Sequence, residues 1–329
     1  MVIHDIIWLA LLTPILFRFL SVLRIPILST WQVVSTTMNL LWICGMIFHV
    51  TNPLASEGYG TRNSMSLSKK ESEFLALLSA QGRSIFTFQD AHKFWGTPEA
   101  ATNSLGRLVR KRWLFRLENG LYLIIPLEAG PEREWSENAL IIASHLVSPG
   151  AVAYWSAMRF WNMTEQLPHV QFIQTTKRKR SISIQGISYR FITVSEKRFF
   201  GTVSKQIESQ SITVTDLEKT LIDAADRPDL SGGIIQLAEA MSAVSDQIDW
   251  EKLTDDLEKW GGGAVAKRLG YLLERLALPI QNRELIVDKW RSMISKGISS
   301  LEPGSPKVGP TLVRWQLQIN VPGLLPKGN

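Results

Sequence analysis

Between Arg107 and Arg116 the chain carries five cations, Arg107, Arg110, Lys111, Arg112 and Arg116, with no acidic residue among them. Guanidinium and ammonium groups at this density are suited to neutralising phosphates along a nucleic-acid backbone. Just upstream stand Thr102 and Asn103. A carboxamide can pair bidentately with adenine in a major groove, although an Asn on an exposed helix face is equally at home in water. The densest charge run lies further on, at Lys177, Arg178, Lys179 and Arg180. It reads either as a solvated turn or as an auxiliary contact to DNA or to an acidic partner surface.

Other chemistries find no matching pattern. The phosphate loop G-x-x-x-x-G-K-[ST], the zinc motif H-E-x-x-H and the nucleophile elbow G-x-S-x-G are all absent from the sequence. Gly304-Ser305 has no D-x-D after it, and no E-x-K tripeptide occurs, which argues against a nucleotidyltransferase and a metal-dependent nuclease. Gly261-Gly262-Gly263 is followed by Ala264 and Val265 with no strand before it, so it reads as a link between helices. Asp216, Glu218, Lys219 and Asp223 gather at a helix start, where capping and packing explain them. With one cysteine, Cys44, and five scattered histidines, neither a disulfide framework nor a structural metal site is expected. No catalytic residue and no cofactor is therefore predicted. The net charge of +6 favours an anionic partner.

The elements that must position the basic run are legible over residues 65–130. Ser68 and Glu71 form a capping box, Leu67, Glu71, Phe74, Leu75 and Leu78 fall on one stripe, four of the five apolar, and Gly82 ends that helix. Thr87 caps a second short helix through Phe94. Thr97, Pro98 and Glu99 suit the cap and first turn of a third, which runs to about Lys111 with Ala101, Leu105, Leu108 and Val109 inward. Thr97, at the helix start, joins the candidate contacts. Trp113 to Leu117 and Leu121 to Ile125 flank Asn119-Gly120, a strong hairpin signal. Three helices and a hairpin predict a winged helix-turn-helix, with the cations on the end of its recognition helix and its first wing strand.

Residues 131–329 read as a mixed α/β domain, making the whole α+β. Helices are expected over 135–147, 151–160, 216–225 (opened by a Thr215–Glu218 capping box), 234–244 and 264–276, the last with Arg268 linked to Glu274. Strands are expected over 170–175, 181–184, 187–194, 212–214 and 313–317.

Residues 1–64 differ in composition. The first 50 carry only Asp5, Arg18 and Arg24 as formal charges, and Ile25 to Phe48 has none. A membrane span needs about 20 predominantly apolar residues, and the second stretch is long enough. Asn52 to Ser64 reads as a linker. Three readings are open: an inner-membrane anchor through residues 6–48, a buried helical hairpin, or an upstream extension of a protein that naturally begins at Met65. The third is preferred, which makes the expected location cytoplasmic.

The order of these features resembles a known family. A basic winged helix ending Gly-Leu-Tyr is followed by AYWSAMRFWNM, by strands around a basic turn, by VTDLEKTLIDAADRPDLSGG, by AVAKRLGYLLERL, and by Arg314, Trp315, Leu317 and Asn320 in an RW-x-L-x-x-N pattern. Over about residues 65–320 this is similar to the AbiEi-type antitoxins of abortive-infection, type IV toxin–antitoxin systems. The resemblance implies a transcriptional autorepressor that binds inverted repeats in its own promoter and counteracts a separate nucleotidyltransferase toxin. Such proteins usually lack a membrane segment.

Overall fold

The computed structural model describes residues 66–166, 169–276 and 278–324. The apolar stretch 6–48 and the linker up to Met65 lie outside the described residues. Among the described residues no helix is long and apolar enough to cross a membrane. The fold is mixed α/β, with ten α-helices and twelve strands among those residues.

The first part follows its local signals. Helix α1 (Lys69–Ala80) opens at Ser68, whose hydroxyl accepts the Glu71 N–H while the Glu71 carboxylate accepts the Ser68 N–H at 2.9 Å. Strand β1 (Ile85–Thr87) leads into α2 (Phe88–Trp95), capped reciprocally by Thr87 and Asp90. Helix α3 (Pro98–Arg110) is capped by Thr97. Strands β2 (Leu114–Glu118) and β3 (Leu121–Ile124) turn at Asn119-Gly120, where Gly120 takes φ +80°. β1, too short to carry a periodic signal, pairs antiparallel with β3 and completes a three-stranded sheet in the order β1-β3-β2.

That sheet is buried on both faces. Phe86, Leu114 and Tyr122 point towards the helices, into a core with Phe74, Leu78, Ala101, Leu105 and Leu108. Ile85, Leu117, Leu121 and Leu123 point the other way, into a second core with Ile141, Ile142, Leu146, Val152, Ile212 and Val214. Strand alternation sends neighbouring residues to opposite faces, so one short sheet serves as a wall for two cores.

The later residues build α4 (Ala139–His145), β4 (Ala151–Val152), α5 (Tyr154–Phe160), β5 (Val170–Thr175), β6 (Ile182–Ile184), β7 (Ile187–Thr193), β8 (Thr202–Ile207) and β9 (Gln210–Thr215). Their strands form one mixed sheet, β6-β7-β5-β4-β9-β8. A helical layer follows: α6 (Leu217–Asp226), α7 (Ile234–Ala243), α8 (Trp250–Trp260), α9 (Gly263–Leu276) and α10 (Arg283–Ser292). A small sheet of β10 (Ser299–Ser300), β11 (Thr311–Leu312) and β12 (Leu317–Gln318) closes against it.

Several expectations change here. The helix expected over 151–160 begins only at Tyr154, because Val152 is drawn into the sheet between Ile173 and Val214. The helix expected over 135–147 is confined to 139–145. The cap of α6 is Asp216, which accepts the Lys219 N–H at 2.8 Å; the Thr215 hydroxyl turns instead to Thr220, at 2.8 Å. The strand expected over 313–317 is a 3₁₀ turn at Val313–Trp315, and pairing starts at Leu317. Arg268 and Glu274 do not meet: six residues apart, they lie about 120° from each other around α9 and face different ways. Arg268 donates to the carbonyls of Ala225 (2.8 Å) and Ser300 (3.1 Å). Glu274 receives Arg314 at 2.7 Å and the Trp315 indole N–H at 2.6 Å. The triple glycine does link two helices, with Gly261 left-handed at the end of α8 and Gly263 packed against Ser295 as α9 begins.

Candidate nucleic-acid interface

Helix α3 divides cleanly. Ala101, Ser104, Leu105 and Leu108 are buried, while Thr102, Asn103, Gly106, Arg107 and Arg110 face outwards. The two threonines are occupied within the helix: Thr97 Oγ1 accepts the Ala100 N–H at 3.2 Å, and Thr102 Oγ1 donates to the Pro98 carbonyl at 2.8 Å. Asn103 and Arg110 are exposed and make no hydrogen bond or ion pair among the described residues.

The basic run is not uniformly available. Glu71, 1% exposed, binds Arg107 Nε through Oε1 at 3.1 Å and Lys111 Nζ through Oε2 at 3.0 Å. Burial alone would raise this carboxyl's pKa. The Ser68 N–H and the two cations outweigh it, and the pKa falls to about 2. Glu71 therefore stays ionised and fixes α3 against α1. Lys111 is largely committed to that task, while Arg107, 46% exposed, still presents part of its guanidinium to solvent. The sequence placed Glu71 in the cap and on the inward stripe of α1; its pairing with cations 36 and 40 residues away has no local signal.

Past the helix, Arg112 takes φ +56° and donates to the Glu132 carbonyl at 3.3 Å. Arg116 lies along the hairpin, its Nη2 2.6 Å from Asn119 Oδ1. The second basic run is brought to the same place. Lys179 contacts both Glu118 oxygens at 2.8 Å, tying the β5–β6 turn to β2, and also donates to the Leu146 carbonyl. Lys177 donates to the Ser148 carbonyl. These two lysines hold the turn in place, which leaves Arg178 and Arg180 exposed beside the hairpin with no partner among the described residues. Two charge runs some 60 residues apart in sequence thus become neighbours.

The acids and lysine at the start of α6 have a different role. Lys219 and Asp223 form an ion pair in which both side chains are 0% exposed. Gln174 bridges to each, at 3.3 Å from Lys219 and 3.2 Å from Asp223, and its amide also donates to Tyr154. Burial pushes the Asp223 carboxyl up and the Lys219 charge opposes it. The pair braces α6 against β5. Among the described residues no group of acids, histidines or cysteines is arranged to hold a metal ion.

No family model matches this chain, and no curated protein does. Among solved structures, its fold is similar to the crystal structure of RV2827C protein from Mycobacterium tuberculosis, at 15% sequence identity and a TM-score of 0.51, over 77% of this chain and 92% of that one.

Proposed function

We propose that this chain is a DNA-binding antitoxin and transcriptional autorepressor of a type IV, abortive-infection toxin–antitoxin operon. In this reading α1, α2 and α3 with the β2–β3 hairpin are a winged helix-turn-helix, α3 is the recognition helix and the hairpin is the wing. The observation that carries the DNA half is the outer face of α3. Asn103 and Arg110 stand there unoccupied, Arg107 is partly available, and Arg116, Arg178 and Arg180 flank them. Thr97, Thr102 and Lys111 serve the frame more than the contact. The antitoxin half rests on the family-like segments Thr215–Gly233 and Lys267–Leu276, and its partner is a nucleotidyltransferase toxin that need not bind stably.

Fluorescence anisotropy of the full chain with promoter DNA, titrated with salt, tests the first half. About five phosphate contacts give a log–log slope of roughly −4. An affinity that does not weaken between low and moderate salt overturns it. Co-expression with any nucleotidyltransferase encoded beside this gene tests the second half: cells left unprotected by the folded protein, or the absence of such a gene, overturn the antitoxin assignment.

A further inference from the structure

A cleft of ≈ 500 Å³ lies between α1, the segment leaving β3 and the β8–β9 turn, with no residue of α3 in its lining. Its apolar lining includes Leu75, Trp113 and Ile124, and its rim carries Leu127 and Trp135, which are 73% and 38% exposed. Its charges are unbalanced. Glu128, Glu137 and Glu208 face one cation, Arg83, and that guanidinium is already held by Asp90 at 2.9 and 3.2 Å.

Two polar groups in the wall are unfinished. Glu137 is nine-tenths buried; one oxygen accepts the Asn138 N–H at 2.9 Å, and the other makes no hydrogen bond among the described residues but is reached by solvent through the cleft. The Ser84 hydroxyl is buried with no hydrogen-bond partner. A carboxylate oxygen open to an apolar-lined cleft is an available acceptor for a cationic donor. Arg133, which is not part of the lining, already stacks on Trp113, its guanidinium carbon 3.4 Å from the ring centroid.

We infer that this cleft binds a small organic cation with an apolar or aromatic body, the charge meeting Glu137 and the body lying on Leu75, Ile124 and Trp135. Anionic ligands are disfavoured by three carboxylates, and a bare inorganic cation would leave the apolar lining unused. The residues of α1 that line the cleft, Ser72, Leu75, Ala76 and Ser79, are on the helix whose Glu71 grips α3, so an occupant here bears on the helix that positions Arg107 and Lys111. The ligand site does not depend on the DNA reading.

The experiment uses benzamidine as the cationic probe and benzamide as its neutral counterpart, measured by calorimetry on the full chain in the absence of DNA. Benzamidine should bind about tenfold more tightly than benzamide, and Glu137→Gln, which keeps a hydrogen-bond acceptor for Asn138, should remove that preference. If Glu137→Gln does not fold, Glu208→Gln at the exposed turn should still reduce it. Equal affinity for the two probes, no benzamidine binding up to about 10 mM, or a preference unchanged in the folded variants overturns the assignment.

Discussion

Glu71 on α1 and Arg107 on α3 are joined by an ion pair of 3.1 Å whose acidic member is buried and whose basic member is half in water. Arg107 is therefore a strut as well as a candidate phosphate ligand, and the two roles can be measured apart. Arg107→Ala should lower stability by about 1 kcal/mol, since Lys111 still holds the carboxylate, and should weaken DNA binding as well. Arg110→Ala should weaken binding evenly across sequences and leave the thermal midpoint unchanged. Asn103→Ala should change sequence preference, by about 1–3 kcal/mol at one base pair if the contact to adenine is bidentate. Paired melting curves and anisotropy titrations read all three. An Arg110→Ala protein that melts early would contradict the assignment of its side chain to solvent.

Acid should loosen this module through Glu71. Its folded pKa, about 2, lies below the ordinary 4.5, so the unfolded chain binds the proton more readily. The stabilisation is fully present above about pH 4.5 and is lost as pH falls towards about 2; by linkage it amounts to at most about 3 kcal/mol. Urea midpoints at about pH 6 and about pH 3 should fall further apart for the natural protein than for Glu71→Gln. Identical pH sensitivity in the two proteins would remove Glu71 from the account.

The enclosed Lys219–Asp223 pair predicts a sign reversal. Lys219→Met alone leaves a buried carboxylate with only Gln174 and should cost about 3–5 kcal/mol. Lys219→Met with Asp223→Leu removes both charges and should recover most of that loss. A double variant as unstable as the single would mean that shape, not charge, governs this position.

The Trp315 indole packs directly on the Cα of Gly270, where a Cβ would run into its ring. Gly270→Ala should cost about 1–3 kcal/mol by overpacking, and Trp315→Ala about 3–5 kcal/mol by leaving a void. Chemical denaturation of each checks both figures. A neutral Gly270→Ala would show that the tail can shift without loss.

A fragment ending at Gly130 should be poorly soluble or partly unfolded, because Ile85, Leu117, Leu121 and Leu123 would lose the core that covers them. Hydrogen exchange on the fragment and on the full chain decides this. Equal protection of β1 and β3 in both would show that the module stands by itself.

What was legible in the sequence was what local geometry controls. Ser68 with Glu71, Thr87 with Asp90, Thr97 before Pro98, and Asn119-Gly120 each satisfy nearby backbone groups, so a few adjacent residues suffice to place α1, α2, α3 and the hairpin. The misses share a reason. β8 is an edge strand with mostly exposed residues and no alternation, and only pairing with β9 defines it. Helix α8 is so charged that its stripe of Leu253, Leu257 and Trp260 is easily overlooked. The tail around Trp315 holds a 3₁₀ turn because Gly270 leaves room for an indole 45 residues away, a fact that no window on the tail contains. At the candidate site, the cations could be counted in advance. Which of them were already spoken for depended on Glu71 and Glu118, which only the fold brings close.

A sheet that walls two cores also constrains how such a protein can diverge. A cassette spanning residues 65–130 cannot be exchanged between relatives as a free-standing unit, because its underside, Ile85, Leu121 and Leu123, must match the contours of Ile141, Val152 and Val214 in the recipient. If α3 reads DNA as proposed, new target preferences have to arise in place, through its outward residues Thr102, Asn103, Gly106 and Arg110, which are not part of the packed core. Packing and the outward surface free to vary are thereby assigned to opposite sides of the same few strands and one helix.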